Sequence, residues 1–147
     1  MPTTPAPPLS LPVTGGGSTD DLALGTGTDG RFTLVVFFRG LHCPVCRAQL
    51  SELDRRREDV AAAGVGRVVA ISMETAERSA SLVERWHLDA LAVAHSLTEP
   101  GMVVLDADGT VFWTSVASTP FGRPPLDDVL AGLRLAQEAG YPVRGAA

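Results

Sequence analysis

Two continuous apolar runs dominate the pattern of the chain and predict two strands that are buried on both faces. Residues 33–38 have the sequence TLVVFF, which is β-branched and aromatic, and Gly40 ends the run. Residues 65–72, VGRVVAIS, form the second run. We therefore expect both strands inside a sheet that has packed layers on either side.

Apolar residues at helical spacing follow these strands and predict amphipathic helices. In the first helix the apolar face carries residues 46, 50, 53 and 60, and most charged residues lie opposite it. Gly64 and Gly140 stand where the first and last helices should stop, because glycine tolerates the left-handed conformation of a helix end. The predicted helices run from residue 44 to about 63, from 75 to about 86, and from the prolines at 124 and 125 up to Gly140.

The C-terminal half contains a hairpin signal. Residues 102–105 and 110–113 are apolar and flank the turn sequence DADG at 106–109. The short apolar run at 91–94 fits either a strand or part of a turn. Strands that alternate with helices and then give way to a hairpin predict an α/β fold. We expect a mixed sheet with central parallel strands, right-handed crossovers, a C-terminal antiparallel hairpin and helices on both faces.

Residues 1–19 differ in composition from the rest of the chain. They are rich in proline and glycine and have no periodic apolar face, which predicts a disordered tail or an extended arm. A proline-rich ligand for a recognition module is less favoured, because the segment lacks the flanking arginine that such ligands carry. The sequence therefore predicts a flexible tail at 1–19 and a single domain at 20–147.

The charge balance argues against two classes of partner. The 147 residues include 12 basic and 17 acidic side chains, a formal net charge of −5. Nucleic acids and anionic membranes bind a concentrated positive patch, which the sequence does not show. The N-terminus lacks the basic start and apolar core of a secretory signal, and no apolar run approaches the ~20 residues that span a bilayer. We therefore expect a cytoplasmic protein that binds neither nucleic acid nor membrane.

The two cysteines, Cys43 and Cys46, stand where the first strand gives way to the first helix. Unpaired N–H groups and the helix dipole stabilise negative charge there, so the Cys43 thiol should lose its proton more readily than an ordinary thiol, whose pKa is ~8.5. Cys46 lies one turn inside, on the apolar face. This arrangement predicts that Cys43 attacks a substrate and that Cys46 resolves the mixed disulfide. A protonated His42 would stabilise the thiolate further.

Two other interpretations of the cysteine pair remain open. The pair could be half of a zinc site that is completed by two of His42, His87 and His95. It could also consist of two inert core cysteines. The strand-to-helix junction favours redox chemistry over both, and His87 and His95 are expected to be surface or capping residues. Dithiol chemistry requires no bound metal or cofactor.

Four segments together resemble the peroxiredoxin-like branch of the alkyl hydroperoxide reductase/thiol-specific antioxidant family, within the thioredoxin-fold superfamily. They are FFRGLHCPVC from residue 37, EPGMVVLDADGTVFW from residue 99, TPFGRPPLDDVL from residue 119 and GYPVRG from residue 140. The resemblance covers the chain from about residue 30 to the end and implies a thioredoxin-like mixed sheet. It also implies that Pro100 is the cis-proline that faces the Cys-x-x-Cys in such folds.

The sequence departs from the peroxidase motif of that family. Peroxiredoxins carry P-x-x-x-T-x-x-C, and neither Cys43 nor Cys46 has proline and threonine at the required positions. The arginine that peroxiredoxins place just before the late strand is absent around residues 99–102. Arg39 or Arg123 could take its place, and Arg39 is favoured because it is close to Cys43 in sequence. Dithiol exchange is therefore better supported than peroxidase activity.

These observations predict an oxidoreductase that cycles Cys43 and Cys46 between dithiol and disulfide. Its substrates would be peroxides or disulfides, and its electrons would come from a thioredoxin- or glutathione-type donor. The alternative is a non-catalytic thioredoxin-fold binding or thiol-switch module, whose disulfide turns over slowly or not at all. The sequence leaves the oligomeric state open, and a homodimer is compatible with it.

Overall fold

The computed structural model describes residues 3–22, 29–89, 91–95, 101–117 and 122–140. Its elements follow the predicted order, and the run at 91–94, which fitted a strand or a turn, contributes to a strand. They are β1 (Phe32–Phe38), α1 (Pro44–Arg55), α2 (Arg57–Ala62), β2 (Val65–Ser72), α3 (Ala76–Trp86), β3 (Ala92–His95), β4 (Gly101–Leu105), β5 (Val111–Val116) and α4 (Leu126–Ala139). No helix among the described residues is long and apolar enough to cross a membrane.

The strands form one five-stranded mixed sheet in the order β3-β2-β1-β4-β5. The central strand β1 pairs in parallel with β2 and antiparallel with β4. Strand β3 pairs in parallel with β2, which settles the run at 91–94 as a strand, and β5 completes the hairpin with β4. The predicted thioredoxin-like mixed sheet is therefore confirmed. Its topology places the end of β1, and the cysteines that follow, in the middle of one sheet edge.

The four α-helices of the described chain contribute to one apolar cluster on one face of the sheet. Alternate residues of β1 point to this face, among them Leu34 and Val36. The crossovers from β1 to β2 and from β2 to β3 step in the same direction across the sheet, so right-handed connections place their helices on the same side. The helices contribute Leu50 from α1, Val60 from α2, Leu82 from α3 and Leu130 from α4.

The opposite face is covered by the N-terminal arm, defined here as residues 3–22. Val35 and Phe37 of β1 point to this face and share a second apolar cluster with Leu9 and Leu11 of the arm. Among the described residues, this second cluster contains none from an α-helix. The expectation of helices on both faces was therefore wrong. Strands β3 and β4 run in opposite directions, so the end of β3 and the start of β4 lie at the same sheet edge and no crossover helix is needed between them.

Backbone hydrogen bonds join the arm to the two edge strands of the sheet, β5 and β3. The N–H of Thr3 donates to the Val111 carbonyl oxygen at 2.9 Å, and the N–H of Thr14 donates to the Val93 carbonyl oxygen at 2.8 Å. Residues 3–22 thus lie against the sheet as an extended arm, one of the two alternatives for the N-terminus. The division into a flexible tail at 1–19 and a domain at 20–147 stays a prediction.

The single helix predicted at 44–63 is in fact two helices, with Arg56 between them at φ −98° and ψ 26°. The Arg56 guanidinium donates to Asp127 of α4 at 2.7 Å, to Asp59 of α2 at 3.0 Å and to Glu52 of α1 at 3.2 Å. These carboxylates, Asp127 first, raise the pKa of Arg56. The bond to Asp127 is a tertiary contact, which the local helical pattern could not predict.

Candidate active site

The loop of residues 39–42 connects β1 to α1 and brings the cysteines to the sheet edge. Gly40 has a φ of +118°, a conformation that side chains disfavour, and the chain turns there. The N–H of Cys43 donates to the Gly40 carbonyl oxygen at 3.1 Å. Pro44 is the first residue of α1, where a missing N–H leaves no intrahelical bond unmade. The local sequence therefore starts the helix directly after the first cysteine.

Cys43 and Cys46 are joined by a disulfide, and their Cα atoms are 5.3 Å apart. Cys43 is the N-cap residue of α1, and its Sγ accepts a hydrogen bond from the backbone N–H of Cys46 at 3.3 Å. After reduction, the same N–H and the positive end of the helix would stabilise a thiolate at Cys43. The geometry thus favours Cys43 as the thiol that ionises.

Both cysteines are buried in this disulfide form. Cys43 retains 4% of its surface exposed, whereas Cys46 retains 0%. Both belong to the apolar cluster under α1, which also contains Leu50. The order of exposure is that of an outer and an inner cysteine, although the difference between them is small.

Arg123, in the segment before α4, lies beside the inner cysteine. Its Nη2 is 3.9 Å from the Cys46 Sγ, and its Nε donates to the Gln49 Oε1 at 3.2 Å. Burial lowers the pKa of the Arg123 guanidinium, and the nearby positive charge of Arg39 lowers it further. A guanidinium nevertheless stays protonated in proteins. A fixed positive charge therefore stands next to the sulfur pair.

A cleft of about 220 Å³ opens between α1 and the segment before α4. Its walls include Val45, Gln49, Met102 and Arg123. Gln49 links two of these walls, because its Oε1 accepts from Arg123 and its Nε2 donates to the Met102 Sδ at 3.3 Å. The cleft thus lies on the side of the site where Arg123 meets Cys46.

Glu74, which the sequence analysis did not single out, lies against the cysteine loop. Its side chain is 9% exposed, and its Oε1 accepts the Leu41 N–H at 2.7 Å and lies 3.9 Å from the His42 Nδ1. The hydrogen bond from Arg78, and to a smaller extent that from Leu41, hold the pKa of the Glu74 carboxyl below its usual range, against the effect of burial. The position of Glu74 in the sequence could have indicated this contact. Glu74 closely follows the buried strand β2, and the ends of the parallel strands β1 and β2 lie at the same sheet edge.

Three of the predicted site residues, Cys43, Cys46 and Arg123, meet at one place. Arg39 is exposed on the loop before the cysteines. Sequence reasoning favoured Arg39 as the cation of the site, but the guanidinium in contact with a cysteine sulfur belongs to Arg123. The side chain of His42 is 57% exposed and its ion-pair partner is Glu74.

The remaining predicted residues are Pro100, His87 and His95. Pro100 lies outside the described residues, so its role stays a prediction. His87 is exposed and ends α3 in the left-handed conformation, as expected of a capping residue. His95 is the last residue of β3. Within the described ranges, no group of three or more His, Cys, Asp and Glu side chains is arranged to hold a metal ion.

The fold is shared with solved peroxiredoxin structures. Peroxidoxin BcpB from Mycobacterium tuberculosis is 15% identical with a TM-score of 0.72, and the match covers 90% of this chain and 96% of that one. Reduced Prx3 from Vibrio vulnificus, solved in complex with H2O2, is 14% identical with a TM-score of 0.76, covering 90% and 98%. An uncharacterized conserved protein from Geobacillus kaustophilus is 21% identical with a TM-score of 0.69, covering 97% and 85%. At these identities the likeness concerns the fold.

The sequence itself carries the family assignment. No curated protein matches the chain. The family model described as "AhpC/TSA family" matches residues 2–112, which include the whole cysteine loop, α1 and the first four strands. Because this match extends over most of the 147 residues and agrees with the fold, the chain belongs to the AhpC/TSA family and is a peroxiredoxin-like oxidoreductase.

Proposed function

We propose that this oxidoreductase is a dithiol enzyme in which Cys43 attacks the substrate and Cys46 resolves the intermediate. The observation that carries the proposal is the hydrogen bond from the Cys46 N–H to the Cys43 Sγ at the start of α1. This N–H and the helix end stabilise negative charge on Cys43, whereas Cys46 is fully buried. The attacking sulfur is therefore the one whose anion the backbone is built to stabilise.

With a disulfide substrate, the Cys43 thiolate attacks one sulfur, and the substrate S–S bond breaks. One substrate thiolate leaves, and the other half stays on Cys43 as a mixed disulfide. Cys46 then attacks the Cys43 sulfur and expels the second thiolate. The substrate gains two electrons, and the protein ends in the Cys43–Cys46 disulfide that the structure contains.

With a peroxide, the Cys43 thiolate attacks the terminal oxygen and the O–O bond breaks. The other oxygen leaves as an alcohol or water after it takes up a proton, and Cys43 becomes a sulfenic acid. Condensation with the Cys46 thiol releases water and forms the same disulfide. Arg123 supports this route, because a guanidinium beside the sulfur pair can stabilise the charge that develops on the leaving oxygen.

The oxidised protein must be reduced before it can turn over again. We infer a thioredoxin- or glutathione-type dithiol or thiol donor, since attack on the Cys43–Cys46 disulfide is the reverse of the steps above. Such donors keep thiols reduced in the cytosol, the location that we propose for this protein. A homodimer, and a docking role for Pro100 next to the cysteines, are further parts of the proposal that follow from the family resemblance.

A thiol switch is the second candidate, and one observation favours it. Cys43 and Cys46 are 4% and 0% exposed, so a large protein substrate cannot reach either sulfur without some movement of the loop. A switch would oxidise once and then stop, whereas an enzyme would turn over repeatedly with a reducing system.

The test is a stopped-flow titration of wild type, Cys43→Ser and Cys46→Ser with hydrogen peroxide and with a small disulfide. Cys46→Ser should retain the first step with both oxidants and form a sulfenic acid or a stable mixed disulfide. Cys43→Ser should lose that step. Steady turnover of the wild type with thioredoxin and its reductase, or with glutathione, would establish the enzyme. The reverse pattern of the serine variants would transfer the attacking role to Cys46, beside Arg123.

A further inference from the structure

The carboxylate of Glu74 is built into the loop that carries the attacking cysteine. Glu74 lies between β2 and α3, and its side chain is 9% exposed. Its Oε1 accepts the N–H of Leu41 at 2.7 Å, two residues before Cys43. The backbone of the cysteine loop thus donates to a side chain in the connection between β2 and α3. This bond fixes the loop against the sheet.

Gly40 shows that the loop accommodates this carboxylate closely. A Cβ atom built on Gly40 would lie 2.2 Å from the Glu74 Oε1, and the φ of Gly40 is +118°. The carbonyl oxygen of Gly40 in turn accepts the N–H of Cys43 at 3.1 Å. Glu74, the residues 40–41 and the N-cap cysteine therefore form one continuous set of contacts.

The carboxylate also contacts α3 on its other side. Arg78 donates from Nη2 to the Glu74 Oε1 at 3.3 Å and from Nε to Oε2. The N–H of Glu74 donates to the Ser72 Oγ at 3.2 Å. His42 Nδ1 lies 3.9 Å from Oε1. None of these contacts involves a cysteine sulfur, and each uses an atom other than the Leu41 N–H that Glu74 accepts.

We propose that Glu74 is a positioning residue for the thiol–disulfide reaction: its hydrogen bond to Leu41 keeps the cysteine loop in the conformation that places Cys43 at the N-cap of α1. The inference deepens the proposed function and rests on it, since the positioned sulfur is the one that attacks. What the loop needs from Glu74 is an acceptor atom at the right distance. The negative charge is secondary, because a carboxylate close to Cys43 would by itself disfavour a thiolate there.

Two conservative variants separate the acceptor atom from the charge, because each removes one and keeps the other. Glu74→Gln keeps the length of the side chain and an oxygen that can accept the Leu41 N–H, but it removes the charge. Glu74→Asp keeps the charge but withdraws the oxygens by one methylene. Arg78→Ala is the matched control, because it removes the ion pair and leaves the bond to Leu41 intact.

The measurement is the rate of alkylation by iodoacetamide at pH 7 in the Cys46→Ser background, where Cys43 is the sole cysteine. Thermal unfolding of each variant is recorded alongside. Glu74→Asp should slow alkylation by about tenfold, the effect of one lost hydrogen bond on the thiolate's environment. Glu74→Gln and Arg78→Ala should stay within about threefold of the parent, although both should lower the melting temperature.

If Glu74→Asp kept the parent's alkylation rate and Glu74→Gln slowed it, the proposal would be overturned, since the charge would then be the property that matters. Equal slowing in all three variants, in proportion to their loss of stability, would overturn it too and leave Glu74 with a general structural role. Alkylation requires neither the physiological substrate nor its electron donor. If the proposed enzymatic turnover fails, this comparison therefore still decides the role of Glu74 in placing Cys43.

Discussion

The Nη2 atom of Arg123 lies 3.9 Å from the Sγ atom of Cys46, across 77 residues of sequence. Arg123 reaches this position from the segment before α4, and Gln49 on α1 accepts a hydrogen bond from its Nε. The cysteine that lies deepest in the core is thus the one with a cation beside it. A positive charge here acts on whatever anion forms at the sulfur pair, whether a thiolate or a leaving oxygen.

Replacement of Arg123 by Ala should lower the rate of reaction with peroxide by about a hundredfold, the typical loss for one donor to a developing oxyanion. Reaction with a small disulfide should change little, because a thiolate leaving group needs less stabilisation. Both rates can be measured by stopped flow on the reduced protein. Arg85→Ala, at an exposed position of α3, is the control, and Arg39→Ala should have the smaller effect of the two site arginines.

Equal losses of both reactions in Arg123→Ala would mean that Arg123 shapes the site instead of acting on the oxyanion. A peroxide rate that matches the wild type would remove it from the mechanism altogether.

Arg31 connects the hairpin turn to α4 through an ion pair with Asp106 and a hydrogen bond to Ala136. Arg31 donates from Nε and Nη2 to the two Asp106 oxygens at 3.1 and 2.9 Å, and from Nη1 to the Ala136 carbonyl oxygen at 3.1 Å. The hydrogen bond from Arg31 lowers the pKa of the Asp106 carboxyl in the folded protein. Because the folded pKa lies below the unfolded one, the stabilisation is complete above the unfolded value of ~3.9 and is lost as the pH falls through the folded value.

Asp106→Asn should therefore reduce the free energy of unfolding by about 1 kcal/mol at pH 7, an estimate kept low because the pair is partly exposed. The difference from wild type should shrink as the pH falls below about 4. Urea unfolding at pH 7 and pH 3 measures both values, and Arg31→Gln completes a double-mutant cycle. A difference that is the same at both pH values would show that the pair is not the source of the stability.

The N-terminal arm predicts a stability effect far from the cysteines. Leu9 and Leu11 are half-buried against the sheet face that includes Val35 and Phe37. Leu9→Ala and Leu11→Ala should each lower the free energy of unfolding by about 1 kcal/mol, the contribution of a half-buried leucine. Ser10→Ala removes only an exposed hydrogen bond to Asp20, so it should lower the free energy of unfolding by less. Unchanged stability in both leucine variants would mean that the arm does not cover this face in solution.

Two glycines form a matched pair with opposite expected outcomes. Gly132 lies in the middle of α4, and a Cβ built there meets nothing within 4 Å. Gly132→Ala should therefore raise the free energy of unfolding by about 0.5–1 kcal/mol. Gly40→Ala should lower it by about 1–3 kcal/mol, because of the positive φ and the contact with Glu74. Chemical unfolding compares them directly, and a Gly40→Ala protein as stable as wild type would refute the described geometry of the loop.

The local pattern of the sequence determined the strands, most helix boundaries and the place of the cysteines. The TLVVFF run became the central strand because a continuous β-branched stretch can bury both faces. Pro44 directly after Cys43 fixed the start of α1, since proline is favoured in the first turn of a helix. These signals lie within a few residues of the structure that they specify, so they can be recognised without the fold.

Tertiary structure decided what local patterns cannot contain. The break at Arg56 accompanies a bond to Asp127 on another helix, and the arm packs on the sheet face to which no α-helix contributes among the described residues. Glu74 reaches the cysteine loop, and Arg123 reaches Cys46, only once the chain has folded. Each is a contact between residues distant in sequence, and its energy depends on burial and on a partner's position, which exist only in the folded chain.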